Sequence, residues 1–218
     1  MKIKPNHFQS QNLVQLNQVK RGDELYTVRE NRTRYFYPDE WMVFFDSLTD
    51  KQRPTFNTLI NTGARINEVR NIKFSDIDYE RNAVIIRVTK TRNKDGTPRV
   101  RLIPISSQFS KYCRKIQREL SLPVDGYLPV LSTPGANLAM KTKLQKAGIQ
   151  DWQMFSIHNI RKTLEVWLLA LDVDSMKLAK HFGHSASVAS KFYISSSAFG
   201  FEDKNMMREI IGDLYDGK

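Results

Sequence analysis

The stretch "SIHNIRKTL" at 156–164 sets His158 and Arg161 three residues apart, a spacing that places both on one face of a helix. Ser156 stands where such a helix wants its N-cap. An imidazole exchanges a proton near neutral pH, while a guanidinium stays charged and its planar fork suits two oxygens at once. Together they can grip one phosphate and tend a proton beside it. A second stretch, "NTGARINEVRNI" at 61–72, ends one helix at Thr62-Gly63 and presents Arg65 at the start of the next, with Glu68 three residues on to reach back. An arginine held this way is a good phosphate clamp, although in isolation the pair reads first as a surface ion pair. A third, "AKHFGHSASVASKFYI", supplies His181, His184 and Tyr193. The two histidines resemble a metal pair only superficially, because Gly183 breaks the helix between them and no third ligand is near. No metal is therefore expected.

Lys90 follows the β-branched run "NAVIIRV", where a hairpin can carry it over a bound backbone as a mobile cation or proton donor. The surrounding charge is one-sided. Arg81, Arg87, Lys90, Arg92, Lys94, Arg99, Arg101, Lys111, Arg114, Lys115 and Arg118 face the one acid Asp95, in a chain of formal net charge +11. Such a run is the footprint of a surface that tracks a phosphate backbone, with a merely solvated basic face as the bland alternative. Arg87, Arg92, Lys94, Arg99, Arg101, Lys111, Arg114 and Lys115 are the expected DNA-binding residues.

The elements that must position these groups follow from periodicity and punctuation. Residues 1–36 are polar and basic without a sustained period and read as an arm or linker. Pro38 opens "PDEWMVFFDSL", an amphipathic helix with Trp41, Phe44, Phe45 and Leu48 on its apolar side. A second helix carries Phe56, Leu59 and Ile60, and a short third carries Ile66, Val69 and Ile72. "NAVIIRV" and "VRLIPI", joined across Asp95-Gly96, read as a hairpin, and Pro104 suits an edge strand. Helices are expected at 107–120, 136–147, 157–171, 174–182, 186–193 and 203–215. The expected fold class is mostly α with a small antiparallel sheet, in one domain from 37 to 218.

The single cysteine, Cys113, can form no internal disulfide and suits a reducing cytoplasm. The amino terminus lacks the apolar core of a signal peptide, and the longest apolar run, "VWLLAL", is too short to span a bilayer. No membrane partner is expected.

Taken in order, "TGARINEV", a hairpin lysine, "RLIPI", "HNIR", "FGH" and a tyrosine nine residues after that histidine resemble the tyrosine recombinase and phage-type integrase family, over about residues 37–200. The resemblance implies the family's catalytic-domain fold and gives each residue a role. Arg65 matches the first catalytic arginine, Lys90 the hairpin lysine, His158 and Arg161 the His-x-x-Arg pair, His184 the histidine after Leu-Gly, and Tyr193 the nucleophile, with Glu68 as the supporting acid. Phe182 replaces the usual leucine and Ile194 follows the tyrosine where many members carry Thr-His, which bears on subfamily more than on chemistry. An archaeal or mobile-element relative fits this looseness.

The chemistry so implied is exchange of a DNA phosphoester for a 3′-phosphotyrosyl link, with no cofactor. A type IB topoisomerase-like enzyme and a catalytically silent DNA-binding regulator are the alternatives. The stripe Met206, Met207, Ile210, Ile211 and Leu214 either packs on its own domain or, by the resemblance, docks on a neighbour within a tetramer on DNA. The expected location is cytoplasmic and nucleoid-associated. Only about 36 residues stand where the family usually has a further DNA-binding domain, so either a catalytic fragment or a minimal enzyme is expected.

Overall fold

A computed structural model describes residues 17–21, 24–28, 34–92, 96–183 and 199–215; at 17–28, 89–92 and 98 the description is of the backbone. A hairpin of β1 (Asn17–Arg21) and β2 (Glu24–Val28) comes first. It is followed by α1 (Pro38–Asp46), α2 (Arg53–Thr62), α3 (Ile66–Val69), β3 (Ile77–Asp78), β4 (Ala83–Arg92) and β5 (Pro98–Pro104). The rest is helical: α4 (Ser107–Glu119), α5 (Thr133–Lys146), α6 (Ile157–Ala170), α7 (Ser175–Phe182) and α8 (Phe201–Ile211). Strands β3, β4 and β5 form an antiparallel sheet in that order, with Ile86 opposite Arg101 and Ile85 opposite Leu102. The expected class, mostly α with a small antiparallel sheet, is the class observed.

Helix α6 is the axis of the core. Ile160, Leu164, Val166, Trp167 and Leu168 are wholly buried, and a helix apolar nearly all round must be surrounded by others. It packs against α2, α5, α7 and α8. The extended segment before α1 is fastened to it: Thr163 Oγ1 accepts the Phe36 N–H at 2.9 Å, and Trp167 Nε1 donates to the Phe36 carbonyl at 3.0 Å. Phe36 then packs its ring 4.5 Å from Phe155 and 5.2 Å from Trp41, centroid to centroid. Beside this cluster Arg34, 2% exposed, bridges Glu40 at 2.6 Å and Asp151 at 2.7 Å, both fully buried.

The far end of the chain is latched by a histidine. His181, on α7, places Nε2 3.0 Å from the Thr62 carbonyl and Nδ1 2.9 Å from the Tyr215 hydroxyl. A carbonyl only accepts, so Nε2 carries the proton and Tyr215 donates to Nδ1. Burial holds this imidazole down at about 3, well below the ordinary histidine range. Met207, Ile211 and Leu214 are buried in the same core, so α8 packs on α1 and α6 of its own chain.

Several boundaries differ from the sequence reading. Residues 1–36 showed no period, yet β1 and β2 pair within them and Arg34, Tyr35 and Phe36 are already core; short extended pieces carry too few residues for a period to show. Helix α5 starts at Thr133 and not 136, because Ser132 Oγ accepts the Gly135 N–H at 3.2 Å and Pro134 fits the first turn. Helix α3 stops at Val69, and α8 stops at Ile211, where Gly212 turns to φ 64°. The helix expected at 186–193 lies outside the described residues.

Two outcomes are expected. Arg34→Met leaves two buried acids without their cation and costs about 3–5 kcal/mol, read as a lower urea midpoint. For His181, the unfolded chain binds a proton near the ordinary value of 6.5 and the fold resists it down to about 3. Its contribution is thus intact above pH 6.5 and lost as pH falls, by about 2 kcal/mol at pH 5. Urea titrations at pH 7 and 5 should show a smaller loss in His181→Gln.

Candidate active site

Helix α2 ends at Gly63 in the left-handed region, φ 57°, and a Cβ there would lie 2.4 Å from the Phe182 ring. Only glycine permits both the turn and the approach. Two residues on, Arg65 opens α3, its N–H donating to Glu68 Oε2 and its Nη1 to Glu68 Oε1, each at 2.9 Å. Glu68 is fully buried and takes a second guanidinium, Arg101 Nη2 at 2.9 Å. Burial works to raise this carboxyl, but the bonds from Arg101 and Arg65 outweigh it and hold Glu68 below the usual range. An ionised Glu68 therefore backs Arg65, whose side chain stays 40% exposed.

Arg161 comes from the first turns of α6 and is 6% exposed. Its Nη1 donates to the Gly63 carbonyl at 2.7 Å and its Nη2 to the Phe182 carbonyl. Both carbonyls lie at the C-terminal ends of helices, α2 and α7, where a cation is favoured. Burial, then Arg65 and Arg101, pull Arg161 down to about 10, which leaves it charged at neutral pH. His158, one turn earlier, is exposed. Desolvation and the positive charges of Arg161, Lys162 and Arg65 lower its pKa, favouring a neutral imidazole able to accept a proton. The helix start itself is inverted from expectation. Asn159 Oδ1 accepts from both the Ser156 N–H (2.8 Å) and hydroxyl (2.6 Å), so Ser156 donates where it was expected to accept.

Arg65, His158 and Arg161 line one cleft of about 600 Å³ with Asn67, Thr133, Asn137 and Ser156. The starts of α5 and α6 both open onto it, and helix starts favour anions. The cleft can hold a phosphate against two guanidinia beside a proton-accepting imidazole. Asn67, Thr133 and Asn137 were not foreseen, although Ser132-Thr133-Pro134 carried a helix-start signal. Lys90 lies on β4, where pairing with β5 shifts register between Val88 and Arg92. His184, Tyr193 and Lys94 lie outside the described residues. His181 has both ring nitrogens engaged, which removes it as a metal ligand.

The basic stretch divides. Arg99, Lys111, Arg114 and Lys115 are exposed, with Arg114 over the Tyr79 ring at 4.5 Å and Lys115 3.7 Å from Glu119. Arg87 is instead held through both nitrogens by Asp76, at 2.7 Å for Nη2, and Arg101 is turned inward to Glu68 with 12% of its side chain exposed. Arg101, expected among the residues that track a duplex, is paired with the buried Glu68.

The phage integrase family matches residues 43–198, most of the chain. The tyrosine recombinase XerC of Listeria welshimeri serovar 6b is 24% identical over 179 residues, 73% of this chain and 57% of that protein. The crystal structure of XerA recombinase superposes with TM-score 0.58 at 19% identity, covering 81% of this chain and 64% of that one. The Tn1549 transposon integrase, solved with transposon right-end DNA, gives TM-score 0.58 at 16% identity, covering 81% and 65%. This chain thus spans somewhat under two thirds of the length of each. The spacing of Arg65, the His158-Arg161 pair, His184 and Tyr193 falls inside the matched segment, and the chain belongs to the phage integrase family.

Proposed function

We propose that this chain is the catalytic unit of a site-specific DNA recombinase that cuts and rejoins strands through a 3′-phosphotyrosyl intermediate, in integration or excision of a mobile element. The observation that carries the reading is the convergence of Arg65, His158 and Arg161 on one cleft. Tyr193 attacks a backbone phosphorus, the bond to the 5′-oxygen breaks, and the phosphoryl group passes to the tyrosine. His158 assists removal of the tyrosine proton, and Lys90 protonates the departing 5′-oxygen. Arg65, Arg161 and His184 stabilise charge on the nonbridging oxygens, commonly the largest catalytic contribution. Because one phosphoester replaces another, the bond's energy is kept for rejoining and the scheme needs neither ATP nor metal.

Double-stranded DNA is the substrate, supported by the exposed Arg99, Lys111, Arg114 and Lys115 and by the DNA-bound state of the Tn1549 enzyme. The catalytic unit takes in the residues from Arg34 onward, with the earlier ones as an arm, and it works at the nucleoid. None of the described helices is long and apolar enough to cross a membrane. Assembly into a tetramer on DNA goes with the reading, and α8 is the candidate contact, having Phe201 79% exposed at its start.

Incubating the chain with labelled supercoiled and nicked duplex, without metal or ATP, should yield a covalent protein–DNA adduct that Tyr193→Phe abolishes. An adduct that survives the substitution rejects the mechanism. DNA affinity should fall steeply with salt, and Arg99→Ser should lessen the slope by about one counterion. Deleting 203–218 removes Met207 and Ile211 from the core, so it should lower the melting temperature as well as assembly on DNA; assembly lost with melting unchanged would instead mark α8 as a pure docking arm.

A further inference from the structure

Strand β5 reads Val100-Arg101-Leu102, and its flanking apolar residues are 64% and 61% exposed. Alternation along a strand sends Arg101 to the opposite, inward face. A charge there is unfavourable unless matched, and Glu68 matches it: Arg101 Nη2 sits on Oε2, the oxygen that also takes the Arg65 N–H, while Oε1 takes Arg65 Nη1. One carboxylate is thus gripped from two sides. Turning it to release either arginine breaks contacts to both.

Two further features centre on the same side chain. Arg101 Nε is buried and has no hydrogen-bond partner among the described residues, a costly state for an N–H. A methyl group at Gly183, the residue before His184, would come 3.7 Å from Arg101 Nη1 and 3.8 Å from its Cδ. Helix α7 packs on β5 at this point. Arg101 therefore stands where three segments meet: the hairpin that bears Lys90, the turn that bears Arg65, and the end of α7 that leads to His184.

We infer that Arg101 is a positioning residue of the reaction centre: it locks Glu68, through Glu68 it aims Arg65 at the phosphate, and it ties the hairpin to the end of α7. This rests on the recombinase reading above. It removes Arg101 from the set of phosphate-tracking arginines and makes the hairpin a mechanical part of the site.

The test compares the wild-type chain with Arg101→Met and Arg101→Lys. In Arg101→Met the rate of adduct formation on nicked duplex should fall roughly 100-fold, the scale on which misplacing a catalytic group acts, while DNA affinity and its salt slope stay at wild-type values. Arg101→Lys should recover part of the rate. Two readouts do not need turnover. Carbon-13 titration of the Glu68 carboxyl should move upward in Arg101→Met, and the Arg65 Nε nitrogen-15 signal should respond more weakly to inorganic phosphate. An unchanged adduct rate, an unmoved Glu68, or a salt slope reduced by one contact overturns the assignment. Should the wild-type chain form no adduct, the recombinase reading fails by itself, and the Glu68 titration and phosphate response still decide the role of Arg101. Where Arg101→Met does not fold, Arg101→Lys carries the same readouts.

Discussion

A guanidinium buried where two helices end organises this site. Arg161 takes the Gly63 carbonyl at the end of α2 and the Phe182 carbonyl at the end of α7, satisfying groups that a helix leaves open at its C-terminus. Its own burial is tolerable only because those partners are there. The turn that carries Arg65 begins one residue after Gly63, and the segment that carries His184 begins two after Phe182. One buried cation thus fixes the end of α2, which leads to Arg65, against the end of α7. The close approach of Phe182 to Gly63 tightens the same joint, since any side chain at 63 would collide with the ring.

Around that joint the charges are arranged for an anion still to come. Arg65, Arg101 and Arg161 are cations, and Glu68 is a buried acid that pairs with the first two. Held ionised by two of the arginines, Glu68 offsets part of the repulsion without occupying the cleft. The remaining positive potential and the two helix starts favour a phosphate and are in place before it arrives. Such preorganisation is what makes electrostatic stabilisation effective, because no dipoles need turn during the reaction. Desolvation, and then the same potential, lower the pKa of His158, which suits a proton acceptor beside a phosphate.

The local relations in this arrangement were legible in the sequence. Arg65 and Glu68, three apart after a glycine, meet as their spacing implies, and His158 and Arg161 open α6 on one side. The helices with strong apolar periods came out within a few residues of expectation. What escaped was short, extended or reciprocal. Strand β3 has two residues and Arg34–Phe36 has no period. The start of α6 uses Asn159 as the acceptor where the serine was the obvious one.

Sequence alone brought out Arg65, Glu68, His158 and Arg161 and their local order, because a glycine-ended helix and a three-residue spacing each act within a few bonds or a few turns. Tertiary structure decided which charges stay exposed and which are already answered. Arg87 and Arg101 sit in the same basic run as Arg99 and Lys111, yet Asp76 and Glu68, 11 and 33 residues away, pair with them, and Arg101 is turned inward. That difference arises from the pairing of β4 with β5 and the packing of α3 beneath them. No pattern along the chain reports it, since an ion pair depends on distance in space and on the water removed around it.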